Sequence, residues 1–313
     1  MEFKEFYMTM KDGEKIYINK SIPEKEEEAL GVICIVHGSC EHSKRYSHFI
    51  NYLVSNGYIV YSYDLRGHGL SNKENEPLGY FGESNGWNNL IYDLDEIIDL
   101  IKNENKKLNL YLIGHSMGSF IVRHYAIMFS KKIDGLIVIG TAHNPRFILN
   151  FGGLLANRYI AKGYGKKENK LLNKLSYDSF NKRINNPKTD KDWISRDEKI
   201  VDNFIKDKTC GFIFTTAAFR DMFDGLKFIT ERDNIKNTRI DLPILLISGG
   251  EDPVGNNGKM VKTAYNEYKK CGIENIEMKL YNGMRHEILN EIGKEEVYQD
   301  ILTWINNENI IEK

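Results

Sequence analysis

The chain has 313 residues, of which 43 are Lys or Arg and 44 are Asp or Glu, for a formal net charge of −1. That balance leaves no basic stripe to track a phosphate backbone, which argues against nucleic acid as a partner. No apolar run is long enough to span a bilayer, the start (MEFKEFYMTMKDGEK) has no signal-peptide core, and the four cysteines are dispersed without metal-site spacing; a cytoplasmic protein is expected.

In chain order, "EFYMTM" and "KIYIN" flank Asp12-Gly13 and predict a β-hairpin. The alternation of apolar and polar residues then stops. Runs at 31–37, 58–64, 109–115, 133–140, 243–249 and 275–281 read as short strands, most of them buried on both faces. Helices are expected at 46–56, 87–105, 117–130 and 257–271, with a last one at 294–307. The alternation of strands and helices predicts an α/β fold: a mostly parallel eight-stranded sheet flanked by helices, with the hairpin at one edge. Between Ile139 and Pro243 the pattern breaks for about a hundred residues, too long for a structureless loop in a compact domain. Residues 144–226 are therefore expected to form a helical cap inserted into a core made of 1–143 and 227–313.

The stretch "YLIGHSMGSF" places Ser116 where a strand turns into a helix, in a GxSxG pattern. The tight strand-turn-helix elbow strains the serine backbone and leaves no room for side chains at the flanking positions. A serine that only caps the helix predicts the helix start but neither glycine. A nucleophilic serine needs a base to take its proton and a third group to orient that base. Asp252 follows one later strand in "LLISGGEDPVG", and His286 follows the next in "LYNGMRHEILNE". The order Ser116, Asp252, His286 puts each residue at the strand ends where ligands approach such sheets. Glu251 is the alternative acid. Backbone N–H groups would stabilise the oxyanion: that of Met117 at the helix start, and that of Ser39 in the loop after "GVICIVHG". Cys40, Glu41 and His42 are read as shaping that loop, with Arg45 beside the carboxylate holding it rigid.

The motifs "HGSCEHSKRY", "YDLRGHGLS", "GHSMG", "GGEDPVG" and "GMRHEILNE" resemble the α/β hydrolase superfamily. More closely they resemble its monoacylglycerol lipase and lysophospholipase branch, grouped with serine aminopeptidase-type hydrolases. The resemblance runs over nearly the whole chain. It implies a Ser116-His286-Asp252 triad, oxyanion donors at Ser39 and Met117, and a cap over an acyl pocket, with Asp64 and Arg66 packing a loop. No metal or organic cofactor is needed for such chemistry. The expected substrate is a small-molecule ester or lipid of monoacylglycerol or lysophospholipid type. Phe147, Phe151, Phe212, Phe214, Phe219, Met222 and Phe223 are candidates to line its chain, and the cap would touch a membrane at most transiently. An aminopeptidase would instead need an acidic pocket, for which Asp190, Asp192, Asp197, Glu198, Asp221 and Asp224 are available. A non-catalytic binding or scaffold protein on this fold would be expected to lack a triad member.

Overall fold

The computed structural model describes residues 1–311, with side chains described through Glu308. Gly13, at φ +87°, closes the hairpin of β1 (Glu2–Thr9) and β2 (Lys15–Ile22), in which Glu2 faces Ile22 and Thr9 faces Lys15. Then come β3 (Gly31–Val36), β4 (Tyr58–Tyr63), β5 (Leu110–His115), β6 (Gly135–Ile139), β7 (Ile244–Gly249) and β8 (Ile276–Tyr281). They form one sheet in the order β1-β2-β4-β3-β5-β6-β7-β8. The pairs β1–β2 and β2–β4 are antiparallel; all others are parallel.

Because side chains alternate across a strand, each central strand feeds two separate cores. Val32, Cys34 and Val36 of β3 and Leu110 and Leu112 of β5 join one cluster; Ile33, Ile35, Tyr111 and Ile113 join the other. The first face is covered by α2 (Gly86–Glu104), α3 (Met117–Phe129) and α9 (Lys259–Lys270), the second by α1 (Ser47–Ser55) and α10 (Lys294–Ile311). Truncating a fully buried Ile such as Ile113 to Ala should cost about 2–5 kcal/mol. The outer strand β8 is only partly buried, which accounts for its Glu277 and Lys279.

The parallel register sets Val36 beside Gly114 and Ile139 beside His115, so the loops leaving β3, β5 and β6 emerge side by side. Over these loops lies the segment between β6 and β7. It holds α4 (Arg146–Ile160), α5 (Lys170–Tyr177), α6 (Glu198–Lys206) and α7 (Thr216–Thr230), then the single turn α8 (Arg232–Ile235). The position 226 expected to end the cap falls inside α7, which packs both on α4 and on the core helices α2 and α3. Gly152 lets α4 and α7 close up: a Cβ there would sit 2.7 Å from the Phe223 ring. Among the described residues no helix is long and apolar enough to cross a membrane.

Candidate active site

Ser116 joins β5 to α3 with φ 54° and ψ −119°, a conformation that is costly for any residue with a side chain. Its N–H is anchored on Ile139 O at 2.9 Å. The flanking glycines answer to close approach: a Cβ on Gly114 would overlap the backbone of Gly118, and one on Gly118 the carbonyls of Val36 and His37.

His286 Nδ1 lies 3.0 Å from Asp252 Oδ2. An ionised carboxylate can only accept, so Nδ1 carries the proton and Nε2 of the neutral ring keeps a lone pair. That Nε2 is buried without a hydrogen-bond partner among the described residues, and His286 and Ser116 line the same cavity. Asp252 is fully buried and also accepts from Ser248 Oγ (3.0 Å) and Val254 N (2.9 Å). Burial alone would push its carboxyl up; His286 and these donors more than offset that and hold it below the usual carboxylate range. Glu251, the alternative acid, points to solvent. Gly140, after β6 at φ +61°, leaves room for the pair: a Cβ there would meet His286 at 3.1 Å and Asp252 at 3.5 Å.

Met117 is the first residue of α3, where an N–H has no intrahelical acceptor. Ser39 sits between two amides that are already committed. Gly38 N–H donates to Glu41 Oε1 (2.6 Å) and Cys40 N–H to His68 Nε2 (3.3 Å). His68 can accept because its Nδ1–H donates to Arg66 O (3.1 Å), and burial keeps the ring neutral by pulling its pKa to about 3.

Beneath this loop runs a buried charge network. Arg45 bonds Glu41 and forms a two-point pair with Glu287 at 2.7 Å on each arm. Tyr46 OH donates to Glu41 (2.7 Å) and stands 2.8 Å from His115 Nδ1, while His115 Nε2 stands 3.3 Å from the carbonyl of His286. Both ring nitrogens of His115 thus face acceptors, which the imidazolium satisfies. Burial disfavours that charge, but Glu41 outweighs it and raises the His115 pKa. Burial likewise pushes Glu41 up, and Arg45 and His115 bring it well below the usual range.

Two cavities meet at Ser39 and Ser116. The larger, about 430 Å³, runs under α4, α5 and α7 between Met117, Phe120, Leu149, Leu172, Met222 and Phe223. The smaller, about 50 Å³, is bounded by Tyr177, Trp193, Phe204, Phe212 and Glu287. Of the expected chain-lining residues, Phe151, Met222 and Phe223 border the large cavity and Phe212 the small one. Phe214 and Phe219 are instead fully buried, packed edge-to-face on each other, and Phe147 is 73% exposed and borders neither. Which face of a cap helix looks inward depends on how that helix is rotated against the core, and spacing alone does not report it. None of the six cap carboxylates named for an amine pocket borders either cavity.

A family model described as serine aminopeptidase, S33, matches residues 27–293. The chain belongs to that family. A monoacylglycerol lipase of Mycolicibacterium smegmatis is 25% identical over 278 residues, 88% of each chain. A monoglyceride lipase of Rattus norvegicus is 24% identical over 300 residues, covering 95% of this chain and 88% of its own. Among solved structures, a highly thermostable carboxyl esterase from Bacillus coagulans in complex with glycerol matches with a TM-score of 0.91 at 27% identity over 99% of both chains. This S33-family chain has the α/β hydrolase fold and is a carboxylic ester hydrolase similar to the monoglyceride lipases.

In the sequence nothing assigns a role to His68, His115, Glu287 or Gly140 taken one at a time. His68 and His115 lie far in sequence from the last strand, yet the sheet brings His115 to 4.8 Å from His286, ring to ring. The one available signal was the charge pattern Glu41, Arg45 and Glu287: a cation between two carboxylates that folding buries.

Proposed function

We propose that this enzyme cleaves monoacylglycerol- or lysophospholipid-type esters through an acyl-enzyme. His286 Nε2 takes the hydroxyl proton of Ser116 as its oxygen attacks the ester carbonyl. The N–H groups of Ser39 and Met117 receive the developing oxyanion, and Asp252 stabilises the imidazolium. The imidazolium gives its proton to the departing alcohol. Water then attacks the acyl-enzyme with the same base, and Ser116 is released with a free acid as product.

The observation that carries the substrate class is the pair of unequal cavities meeting at the serine. The 430 Å³ cavity has the size of a small-molecule site and a wall of aliphatic and aromatic side chains suited to an acyl chain; the 50 Å³ one suits a compact alcohol. Residues 144–226 act as the cap on the core of 1–143 and 227–313. The exposed Phe147, Phe151 and Leu154 of α4 suit brief contact with a lipid surface. Four free cysteines fit the reducing cytoplasm.

Hydrolysis of p-nitrophenyl esters from acetate to palmitate tests this reading, run beside a monoacylglycerol, a lysophospholipid and an aminoacyl amide. Each methylene buried is worth about 0.8 kcal/mol, so kcat/KM should climb severalfold per CH2 until the cavity is full. Cleavage of the amide alone would replace this reading with an aminopeptidase, and no cleavage of any of these compounds would overturn the proposed substrate class.

A further inference from the structure

His42 closes the oxyanion loop, and across from it the cap descends through Asp207, at the end of α6, to Cys210. The ring nitrogen, a carboxylate oxygen and the sulfur of these three residues lie within 4.8 Å of one another. His42 Nε2 and Asp207 Oδ2 are 2.9 Å apart. We propose that His42, Asp207 and Cys210 form a binding site for a divalent transition-metal ion of the Zn2+ type, clamping the cap to the oxyanion loop.

The donor set is the first argument. Imidazole, thiolate and one carboxylate suit Zn2+ and do not suit Mg2+ or Ca2+, which take oxygen. Zn2+ with ligands at about 2.0–2.3 Å in a tetrahedron separates them by roughly 3.3–3.8 Å, so closing from the present spacing takes shifts of about 1 Å.

The second argument is how the ligands are held. Asp207 and Cys210 stand three residues apart on a turn closed by Cys210 N–H donating to Asp207 O at 3.0 Å, a spacing from which two side chains can reach one ion. Asp207 Oδ1 is taken by Thr209 N (2.8 Å) and Thr209 Oγ1 (2.6 Å), which aims Oδ2 at His42. Cys210 is 8% exposed, so it is screened from bulk oxidants. Binding drives the thiol proton of Cys210 into solvent; thiolate and Asp207 together then balance the two charges of the ion. A water can fill the fourth position.

The ion would join segments that already touch, since Gly211 N–H donates to Cys40 O at 2.8 Å. His42 is three residues from Ser39, and Phe212 borders the small cavity, so the clamp would brace both the oxyanion loop and the wall beside the alcohol.

The test is a Co2+ titration of the reduced full chain, followed by displacement with Zn2+ and competition against a chromophoric chelator. One equivalent of Co2+ should produce a thiolate-to-cobalt charge-transfer band with tetrahedral d–d absorption, and Zn2+ should bleach it. Cys210→Ser should lose the band while keeping basal p-nitrophenyl esterase activity. Asp207→Asn should weaken Zn2+ at least about tenfold, and Thr209→Val by up to about tenfold through the outer shell. His286→Ala should keep the band, which separates this site from the catalytic histidine. Absence of a thiolate band in the native chain overturns the proposal, and so does a band that survives Cys210→Ser. If Cys210→Ser does not fold, unchanged Zn2+ affinity in Asp207→Asn and His42→Asn overturns it equally.

Discussion

The loops below Ser116 and the helices above it are held by different forces. Below, the loop after β3 that carries Ser39 is pinned by directed bonds: Gly38 on Glu41, Cys40 on His68, and Arg45 gripping both Glu41 and Glu287. Above, α4 and α7 meet through Gly152 against the Phe223 ring, and α4 leaves Phe147, Phe151 and Leu154 in solvent. Directed bonds fix amides and a lone pair to a fraction of an ångström, which proton transfer and oxyanion binding require. Apolar contacts have little directionality, so a wall built on them at α4 and α7 can admit acyl chains of different length. The stretch between those helices is tied down by directed bonds, such as Arg196 to Glu291 (3.0 Å) and Arg285 to Asp192 O (2.6 Å). Under the proposed mechanism, rate belongs to the lower region and substrate range to the upper one.

The largest effects should come from the lower region. Ser116→Ala and His286→Ala should each lower kcat by about 10⁶-fold and Asp252→Asn by about 10⁴-fold, with cap-dependent KM little changed. Steady-state kinetics on one short p-nitrophenyl ester reads this, and a loss below tenfold would break the assignment. Next comes Arg45→Met, which leaves Glu41 and Glu287 buried without their cation; both carboxylates are under 10% exposed. It should cost about 3–5 kcal/mol in urea unfolding. A cost near zero would mean that the network does not brace the loop.

Gly140→Ala should be milder and local. Its φ of +61° and the 3.1 Å approach to His286 push the imidazole off line, for a loss of about 10²-fold in kcat with KM for long and short esters shifted alike. A selective loss on long chains would move Gly140 to the substrate side of the comparison.

The smallest effect concerns pH. His124 accepts from Trp87 Nε1 at 3.0 Å and stacks on Phe228, and burial lowers its pKa to about 4. Between about pH 4 and the unfolded value near 6.5, the unfolded chain binds a proton that the native ring does not. Stability therefore falls as pH drops through that window, by up to about 1.4 kcal/mol per pH unit for this ring. His124→Gln keeps an acceptor for Trp87 and should flatten the fall, measured as urea midpoints from pH 4 to 7; an unchanged slope would show that the ring titrates freely when folded.

Strand runs such as "GVICIV" and "NLYLIGH" announce themselves because buried parallel strands are apolar on both faces, and GHSMG adds the turn. Asp252 and His286 stand out as candidates because each closely follows such a strand, and the fold sets them 3.0 Å apart. Strand order was less so: β4 lies between β2 and β3, and that choice rests on crossover packing rather than on any residue pattern. His68 was hidden because the bond it makes spans 28 residues, and Glu287 because its partner Arg45 lies 242 residues away. Gly140 showed no signal beyond being a glycine, since its reason is the imidazole that folding brings against it.

Labelling with a fluorophosphonate, followed by peptide mass spectrometry, tests the central claim most directly. The account predicts one adduct per chain, on Ser116 within the peptide carrying GHSMG, formed at a rate that falls with Asp252→Asn and vanishes in His286→Ala. An adduct on another residue, or full inhibition with Ser116 unmodified, would contradict it.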